Sequence, residues 1–266
     1  MIMNEIITST QNPKIKRLMI LQQKSAERKK EGIFIVEGCQ EINHCIHNHL
    51  QIVTLFYCQS LWDKDYSSLF PRATQCIEVS EKVYEKMAYR GSTEGLIATV
   101  KAKQLSLNDL RLSESPLIIV LEKVEKPGNL GAVLRSADAA HADAVIVCDP
   151  LTDIYNPNII RSSVGALFTV PCAACSSEEC IDFLKNHHIQ ILTAQLQDSR
   201  LYYDIDMKKP TAIIMGTEST GLTQIWREAA DAHIRIPMLG QIDSLNVSVS
   251  TAILLFEAVR QRQSVI

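Results

Sequence analysis

The chain has 266 residues, 46% of them hydrophobic, and a formal net charge of −3. This length supplies enough material for two ordinary domains or one large one, with a core that needs neither disulfides nor metals to hold it. The mildly negative charge disfavours indiscriminate nucleic-acid binding, and the longest apolar runs are about half as long as a membrane span requires. The eight cysteines lack framework spacings and the first residues lack a signal core, so we expect a cytoplasmic protein.

The charge is distributed unevenly along the chain. Residues 1–103 contain 14 basic and 11 acidic side chains, whereas residues 104–266 contain 13 and 19. The first 30 residues alone hold seven basic and two acidic side chains. This pattern predicts a basic arm on a neutral-to-acidic body, although a merely solvated helix face would have the same composition.

The first 103 residues predict a small α/β domain. TQNPKIKRLMILQQ begins with Asn12 as helix N-cap and Pro13 at the first helical position. Strands are predicted in GIFIVEG, QIVTLFYC, ATQCIEVS and EGLIATVK, with helices extending to about Leu50, near LWDKDYSSLF and in EKVYEKMAY. The polar segment 104–116, which ends in proline, is predicted to be a linker.

Residues 117–266 predict a second, larger α/β domain. Apolar runs without alternation are typical of buried parallel strands, and they occur in LIIVL, AVIVC, ALFTV, IQILTA, TAIIMG and IRIPM. Helical stretches separate them at 130–140, 157–164, 178–187 and 222–231. The last helix, NVSVSTAILLFEAVRQRQ, has apolar residues around most of its circumference, which predicts that it is mostly enclosed.

The segment LEKVEKPGNLGAVLRSADAA, residues 121–140, resembles a dinucleotide-binding turn. Gly128 and Gly131 match the second and third glycines of G-x-G-x-x-G, and Asp149 follows where a ribose-binding acid would stand. The first position, however, is Lys126 followed by Pro127, so the glycine that makes the tight turn is missing. A dinucleotide-dependent enzyme is therefore the weaker alternative.

Two further strand-end loops have a similar character, IIMGTESTGL at 213–222 and IRIPMLGQIDSLNVSVS at 234–250. Because ligands bind beyond the carboxyl ends of strands in open α/β sheets, the three loops are expected to converge on one site. The candidate side chains that they contribute are Asn129, Arg135, Glu218, Ser244 and Asn246. Helix capping is the alternative role for Ser244 and Asn246.

These three segments, in this order and spacing, resemble the three motifs of the SpoU-type (TrmH-like) RNA 2′-O-ribose methyltransferases of the SPOUT class. ITSTQNPKIKRLMILQQ followed by GIFIVEG resembles the N-terminal substrate-binding domain of that family. The resemblance implies a smaller N-terminal α/β RNA-binding domain at 1–103. It also implies a methyltransferase domain at 117–266, with a mostly parallel sheet flanked by helices, a C-terminal trefoil knot and homodimerisation through this domain.

The activity that the resemblance implies is S-adenosylmethionine-dependent methylation of a ribose 2′-hydroxyl in structured RNA. Ribosomal RNA is favoured over transfer RNA because the N-terminal domain is present. The family's largely backbone contacts to the cofactor carry over to Gly216, Ile236, Met238 and Leu245.

Arg135 corresponds to the residue nearest the chemistry. The family description makes it act on the hydroxyl, whereas a guanidinium, which normally keeps its proton, is better suited to stabilise a developing alkoxide. Asn129 is then expected to orient Arg135, and Glu218 to hold either residue in place or relay a proton.

Other features leave alternatives open. Lys126 stands where the family usually has Asp or Asn, and the expected RNA contacts are Lys14, Lys16 and Arg17. A non-catalytic RNA-binding protein of the same fold is the second interpretation. Metal binding is not expected, since Cys172, Cys175 and Cys180 lack a second ligand pair, and His44 and His47 lack an assured third ligand.

Overall fold

The computed structural model describes residues 6–89, 94–217 and 220–263. The chain forms two compact units. The first ends at Lys103 and also includes Asp153–Arg161, and the second comprises Gln104–Thr152 and the chain from Ser162 onward. No helix of the described residues is long and apolar enough to cross a membrane.

The first unit contains a four-stranded mixed sheet with the spatial order β1-β4-β2-β3. Its elements are α1 (Pro13–Gln23), α2 (Ser25–Glu31), β1 (Ile33–Glu37), α3 (Cys39–His47), β2 (Ile52–Tyr57), β3 (Ala73–Glu78), α4 (Glu81–Met87) and β4 (Leu96–Lys101). The predicted strands are confirmed. The helix predicted near LWDKDYSSLF is instead two short 3₁₀ helices, and the second contains Pro71, which has no N–H for an α-helical ladder.

Helix α1 shows how the sequence fixes its own N-terminus. Asn12 accepts a hydrogen bond from the Lys14 backbone N–H at 2.9 Å, and Pro13 occupies the first helical position. One face of the helix buries Ile15, Leu18 and Leu21. The predicted cap and amphipathic helix are therefore confirmed, and the basic side chains of α1 lie on its exposed face.

Residues 153–161 pack within the first unit, although the sequence placed them in the second domain. Asp153 forms an ion pair of 2.7 Å with Arg28, which is only 4% exposed, and Tyr155 stacks on Phe34 with ring centroids 4.3 Å apart. A buried guanidinium needs such a partner, because an unpaired buried charge is costly. The spacing of residues along the sequence did not predict that this segment packs in the first unit.

The second unit is built on a seven-stranded sheet with the order β7-β6-β5-β10-β8-β11-β9, and all its neighbouring strands run parallel. The strands are β5 (Leu117–Glu122), β6 (Ala144–Cys148), β7 (Cys172–Cys175), β8 (Gln190–Ala194), β9 (Arg200–Leu201), β10 (Thr211–Met215) and β11 (Ala232–Arg235). The helices are α5 (Pro127–Ala139), α7 (Ala166–Thr169), α8 (Ser177–Asn186), α9 (Gln224–Ala229) and α10 (Val247–Gln263). Helix α6 (Pro157–Ser163) belongs to the first unit up to Arg161 and to the second from Ser162. Every residue of β5, β6 and β10 is buried. The predicted α/β class with a buried parallel sheet is confirmed.

Two predictions for the second unit are wrong. ALFTV forms helix α7, and the strand follows it at Cys172–Cys175, because a short apolar run can be buried equally well as a helix turn or a strand. Helix α10 is not mostly enclosed: it buries Leu254, Leu255 and Ala258, whereas Val249 and Phe256 remain 47% and 48% exposed. Apolar residues around the whole circumference of a helix do not show which of its faces is covered by the rest of the same chain.

The segment 104–116 is packed on the second unit. Ser106 and Asp109 form a reciprocal capping box on a 3₁₀ turn. Leu107, Leu110 and Leu112 pack against the apolar cluster beneath that side of the parallel sheet. The segment thus contributes to the core of the second unit.

Gly128 and Gly131, the two glycines at the start of α5, differ in their surroundings. A Cβ atom on Gly131 would lie 1.9 Å from the Ser162 hydroxyl oxygen and 2.8 Å from the Ser162 carbonyl carbon, whereas one on Gly128 would meet nothing within 4 Å. Gly131 therefore permits a close approach between α5 and Ser162. Gly131, the last glycine of the pattern that resembles a dinucleotide-binding turn, is therefore required for helix packing.

Candidate functional site

A cavity of about 450 Å³ lies beyond the carboxyl ends of β8, β10 and β11. Its walls also include the loop before α10 and the first two turns of that helix. The volume lies within the range of about 300–1,000 Å³ that is usual for small-molecule sites. The cavity occupies the sheet edge where parallel α/β folds bind their ligands.

All four positions predicted to bind the cofactor line this cavity. Gly216 follows β10, Ile236 and Met238 follow β11, and Leu245 precedes α10. Apolar walls are supplied by Leu222, Ile234 and Leu254, among others. The cavity therefore combines an apolar surface with loop backbone, which suits a planar heteroaromatic ring held by amide groups.

The loop after β10 is tightly folded. A Cβ on Gly216 would lie 2.4 Å from the backbone carbonyl carbon of Gly221, so no side chain fits there. Gly221 donates its backbone N–H to the Thr217 carbonyl at 3.0 Å, and the Thr217 and Thr220 hydroxyls lie 2.7 Å apart. Glu218, a predicted catalytic residue, lies outside the described residues.

Asn129 and Asn246 are brought together from the first and third sequence motifs. The Asn246 side-chain nitrogen donates to the Asn129 side-chain oxygen at 3.1 Å. The Asn246 oxygen also accepts the backbone N–H of Ser248 at 2.9 Å, which caps α10. Asn246 therefore has the capping role that was one alternative from sequence, and its role in the reaction stays a prediction.

Arg135 and Asn129 do not share a helix face. Both belong to α5, but six residues separate them by about 9 Å along the axis and about 120° around it. Arg135 is exposed, and Lys126 is exposed at the N-terminus of the same helix. Of the remaining predicted residues, Ser244 lines the cavity wall.

The sequence of each part of the chain matches a family model. Residues 116–256 match the SpoU rRNA Methylase family, and residues 12–98 match the MRM3-like substrate binding domain. The first match alone spans more than half of the chain. The chain belongs to the SpoU rRNA methylase family.

Full-length relatives of this SpoU family chain agree with that assignment. The 23S rRNA (guanosine-2′-O-)-methyltransferase RlmB of Haemophilus influenzae is 38% identical over 239 residues, which cover 85% of this chain and 97% of the relative. A crystal structure of an RNA 2′-O ribose methyltransferase is 39% identical, with a TM-score of 0.85 over 97% of this chain and 100% of that one. The AdoMet-bound rRNA methyltransferase of Sinorhizobium meliloti is 30% identical, with a TM-score of 0.88 and 98% coverage of both chains. The family predicted from the three motifs is confirmed.

Two residues of the cavity in this SpoU family chain were not predicted from the sequence. Gln195 and Arg227 line the cavity, and the Gln195 side-chain oxygen and Arg227 Nε are among the described buried atoms that have no hydrogen-bond partner. Gln195 directly follows β8, so the strand-end rule could have found it. Arg227 lies on α9, and Thr223 is the N-cap residue of that helix. The Glu122 carboxylate accepts hydrogen bonds from the Thr223 hydroxyl at 2.5 Å and from the Thr223 backbone N–H at 2.9 Å, which fixes the start of α9.

The predicted RNA-contacting residues lie on α1. Lys14, Lys16 and Arg17 are all exposed. Arg17 forms an ion pair with Glu31, which offsets its charge locally. Lys14 and Lys16 are therefore the stronger candidates for contact with phosphate groups.

Proposed function

We propose that this chain transfers a methyl group from S-adenosylmethionine to a ribose 2′-hydroxyl of ribosomal RNA. The observation that carries the proposal is the cavity at the carboxyl edge of the sheet, which is lined by all four expected cofactor positions in a chain of this family. The names of the relatives, an rRNA 2′-O-methyltransferase and an AdoMet-bound rRNA methyltransferase, support the substrate and the cofactor.

The residues present fit S-adenosylmethionine. When bound, this cofactor supplies an electrophilic methyl group on a sulfonium centre. The backbone at Gly216, Ile236, Met238 and Leu245 would hold the adenosine part against the apolar wall. Gln195 and Arg227 offer buried polar atoms for the polar end of the ligand. The tight fold around Gly216 leaves backbone, rather than a side chain, facing that part of the cavity.

The catalytic proposal assigns positioning to the asparagine pair and charge stabilisation to Arg135. The hydrogen bond between Asn246 and Asn129 fixes the start of α10 relative to the start of α5. Methyl transfer needs in-line approach of the hydroxyl, so such fixed geometry is a large part of the rate. Arg135 stabilises the developing alkoxide and a neighbouring phosphate. Glu218 is proposed to hold Asn129 or Arg135 in place or to relay the proton, and Ser244 to act as a further catalytic residue.

Helix α10 supports homodimerisation through the second unit. Val249, Ile253 and Phe256 follow at helical spacing on one face, and Val249 and Phe256 are about half exposed. A second copy of this chain is the partner that the family resemblance implies. The C-terminal trefoil knot and the cytoplasmic location are likewise part of this proposal; the free state of all eight cysteines is consistent with that location.

Replacing Phe256 by aspartate should convert the dimer to a monomer, because a charge would be buried in an apolar interface. Light scattering coupled to gel filtration measures the molar mass directly. Leu151→Asp is the matched control, since Leu151 is 60% exposed in the same unit but away from α10 in sequence. A dimer that persists in Phe256→Asp, or one that is lost equally in the control, would contradict the assignment of this helix face.

The double variant Lys14→Glu with Lys16→Glu should weaken RNA binding and flatten its salt dependence. Each phosphate contact contributes roughly 0.7–0.9 to the magnitude of the slope of log K against log salt concentration, so losing two contacts should lower that magnitude by about 1.4–1.8. The control is Lys185→Glu with Lys208→Glu, which makes the same charge change at exposed sites of the second unit. An unchanged slope in the α1 variant would remove α1 from the RNA-binding surface.

The activity is tested by incubating the purified chain with methyl-labelled S-adenosylmethionine and ribosomal RNA from a strain that lacks the gene. Naked RNA and ribosomal particles serve as separate substrates, and nuclease digestion locates the label. We expect label on the ribose of one nucleotide. Cofactor binding without transfer to either substrate would instead support a non-catalytic RNA-binding protein of the same fold.

A further inference from the structure

Three cysteine thiols from separate parts of the sequence converge in the second unit. The sulfur atoms of Cys148, Cys175 and Cys180 all lie within 4.8 Å of one another. Cys148 ends β6, Cys175 ends β7 and Cys180 lies in α8, and the first two are register partners in adjacent parallel strands. Cys172 is on β7 too, but its odd spacing from Cys175 directs it to the opposite face of the strand.

The backbone around the three thiols is held by other contacts. Ser176 and Glu179 form a reciprocal capping box that fixes the turn from β7 into α8. The hydroxyl of the following residue, Ser177, donates a hydrogen bond to the Asp149 carboxylate at 2.6 Å and accepts one from the Trp226 indole N–H at 3.0 Å. The thiols are thus presented by a rigid strand edge and helix start, as a preorganised ligand set requires.

The chemistry of this ligand set favours a soft metal ion. Thiolates select Zn²⁺ and Cu⁺ over the hard cations, which take oxygen ligands. A metal–sulfur distance of about 2.3 Å places tetrahedral sulfur ligands about 3.8 Å apart, so shifts of about 1 Å or less complete the site.

We propose that Cys148, Cys175 and Cys180 bind one thiophilic d¹⁰ metal ion, Zn²⁺ or Cu⁺, at the carboxyl ends of β6 and β7. Cys148 and Cys180 are fully buried, and Cys175 is partly exposed, so an ion enters from the Cys175 side. Zn²⁺ leaves its fourth position open toward that side, whereas Cu⁺ is satisfied by three sulfur ligands. Binding releases to solvent the protons of the thiols that become thiolates. This site is separate from methyl transfer and does not depend on it.

The test measures metal content in the full-length chain, purified without a metal-binding tag under reducing, oxygen-free conditions. Elemental analysis after loading with Zn²⁺ or with Cu⁺ should give about one ion per chain in at least one arm, and the arm identifies the ion. Titrating the stripped protein with Cd²⁺ should produce sulfur-to-metal charge-transfer absorption. Cys175→Ser should lower both signals at least tenfold.

Cys172→Ser is the matched control, because Cys172 lies on the same strand outside the cluster, and it should retain the wild-type metal content. Circular dichroism melting verifies folding, and Cys180→Ala replaces Cys175→Ser if the latter is unfolded. The proposal would be overturned if the wild-type protein bound no metal although the thiols of Cys148, Cys175 and Cys180 were all reduced. A disulfide among the three cysteines in the reduced preparation, or equal metal content in Cys175→Ser and wild type, would also overturn it.

Discussion

Arg135→Ala should lower kcat for methyl transfer by about 10²- to 10³-fold, the usual effect of removing a group that stabilises developing negative charge. S-adenosylmethionine affinity should change less than twofold, since Arg135 is not among the residues that line the cavity. Single-turnover transfer to the mapped RNA measures the rate, and calorimetry measures cofactor binding. This split distinguishes a charge-stabilising role from a structural one.

Two further variants sharpen the test of Arg135. Arg111→Ala removes another exposed arginine of the same unit and should retain the wild-type rate. Arg135→Lys keeps the positive charge without the planar fork and should recover part of the rate. A wild-type rate in Arg135→Ala, or an equal loss in Arg111→Ala, would exclude Arg135 from the chemistry.

Gly216→Ala should weaken cofactor binding about 10- to 100-fold. The added Cβ would lie 2.4 Å from the Gly221 carbonyl carbon, which is backbone and cannot rotate away. Overpacking of this kind costs about 1–3 kcal/mol, and about 1.4 kcal/mol corresponds to a factor of ten in affinity. Calorimetric titration with S-adenosylmethionine provides the measurement.

Gly240→Ala is the control for Gly216→Ala, because a Cβ at Gly240 would meet nothing within 4 Å although this glycine belongs to the third motif. We expect its affinity to match that of the wild type. Thermal unfolding of both variants separates a local change at the cavity from a general loss of stability. If Gly216→Ala binds the cofactor normally while remaining folded, the loop does not shape the site as proposed.

Much of the second unit follows from sequence because strands buried on both faces leave continuous apolar runs. LIIVL, AVIVC and TAIIM all became buried strands, and the strand-end rule predicted that the loops containing Gly216 and Leu245 converge, as they do at one cavity. The choice of these two residues as cofactor contacts came from the family resemblance. Short runs are ambiguous where either a helix or a strand can bury them, which is why ALFTV was misassigned. The knot follows from family resemblance only, since general connection rules disfavour threaded chains.

Individual side-chain contacts between distant segments could not be predicted, because spacing along one segment contains no information about its partner. The bond from Asn246 to Asn129 spans 117 residues, and the approach of Cys148 to Cys175 depends on strand register. The expectation that Asn129 orients Arg135 disagrees with helix geometry, because side chains six positions apart on one helix point about 120° away from each other. Glu218 remains a prediction from sequence.

The walls of the cavity come from residues 194–254, so its construction is tied to the order in which a ribosome delivers the chain. A chain that stopped at residue 240 would contain the residues of the β8, β10 and β11 walls, but it would lack Ser244, Leu245 and the face of α10 that completes them. Such a chain could form most of its parallel sheet while still lacking a complete ligand site. Ligand present during synthesis can therefore stabilise the finished protein, but it has little to bind on the partly made chain.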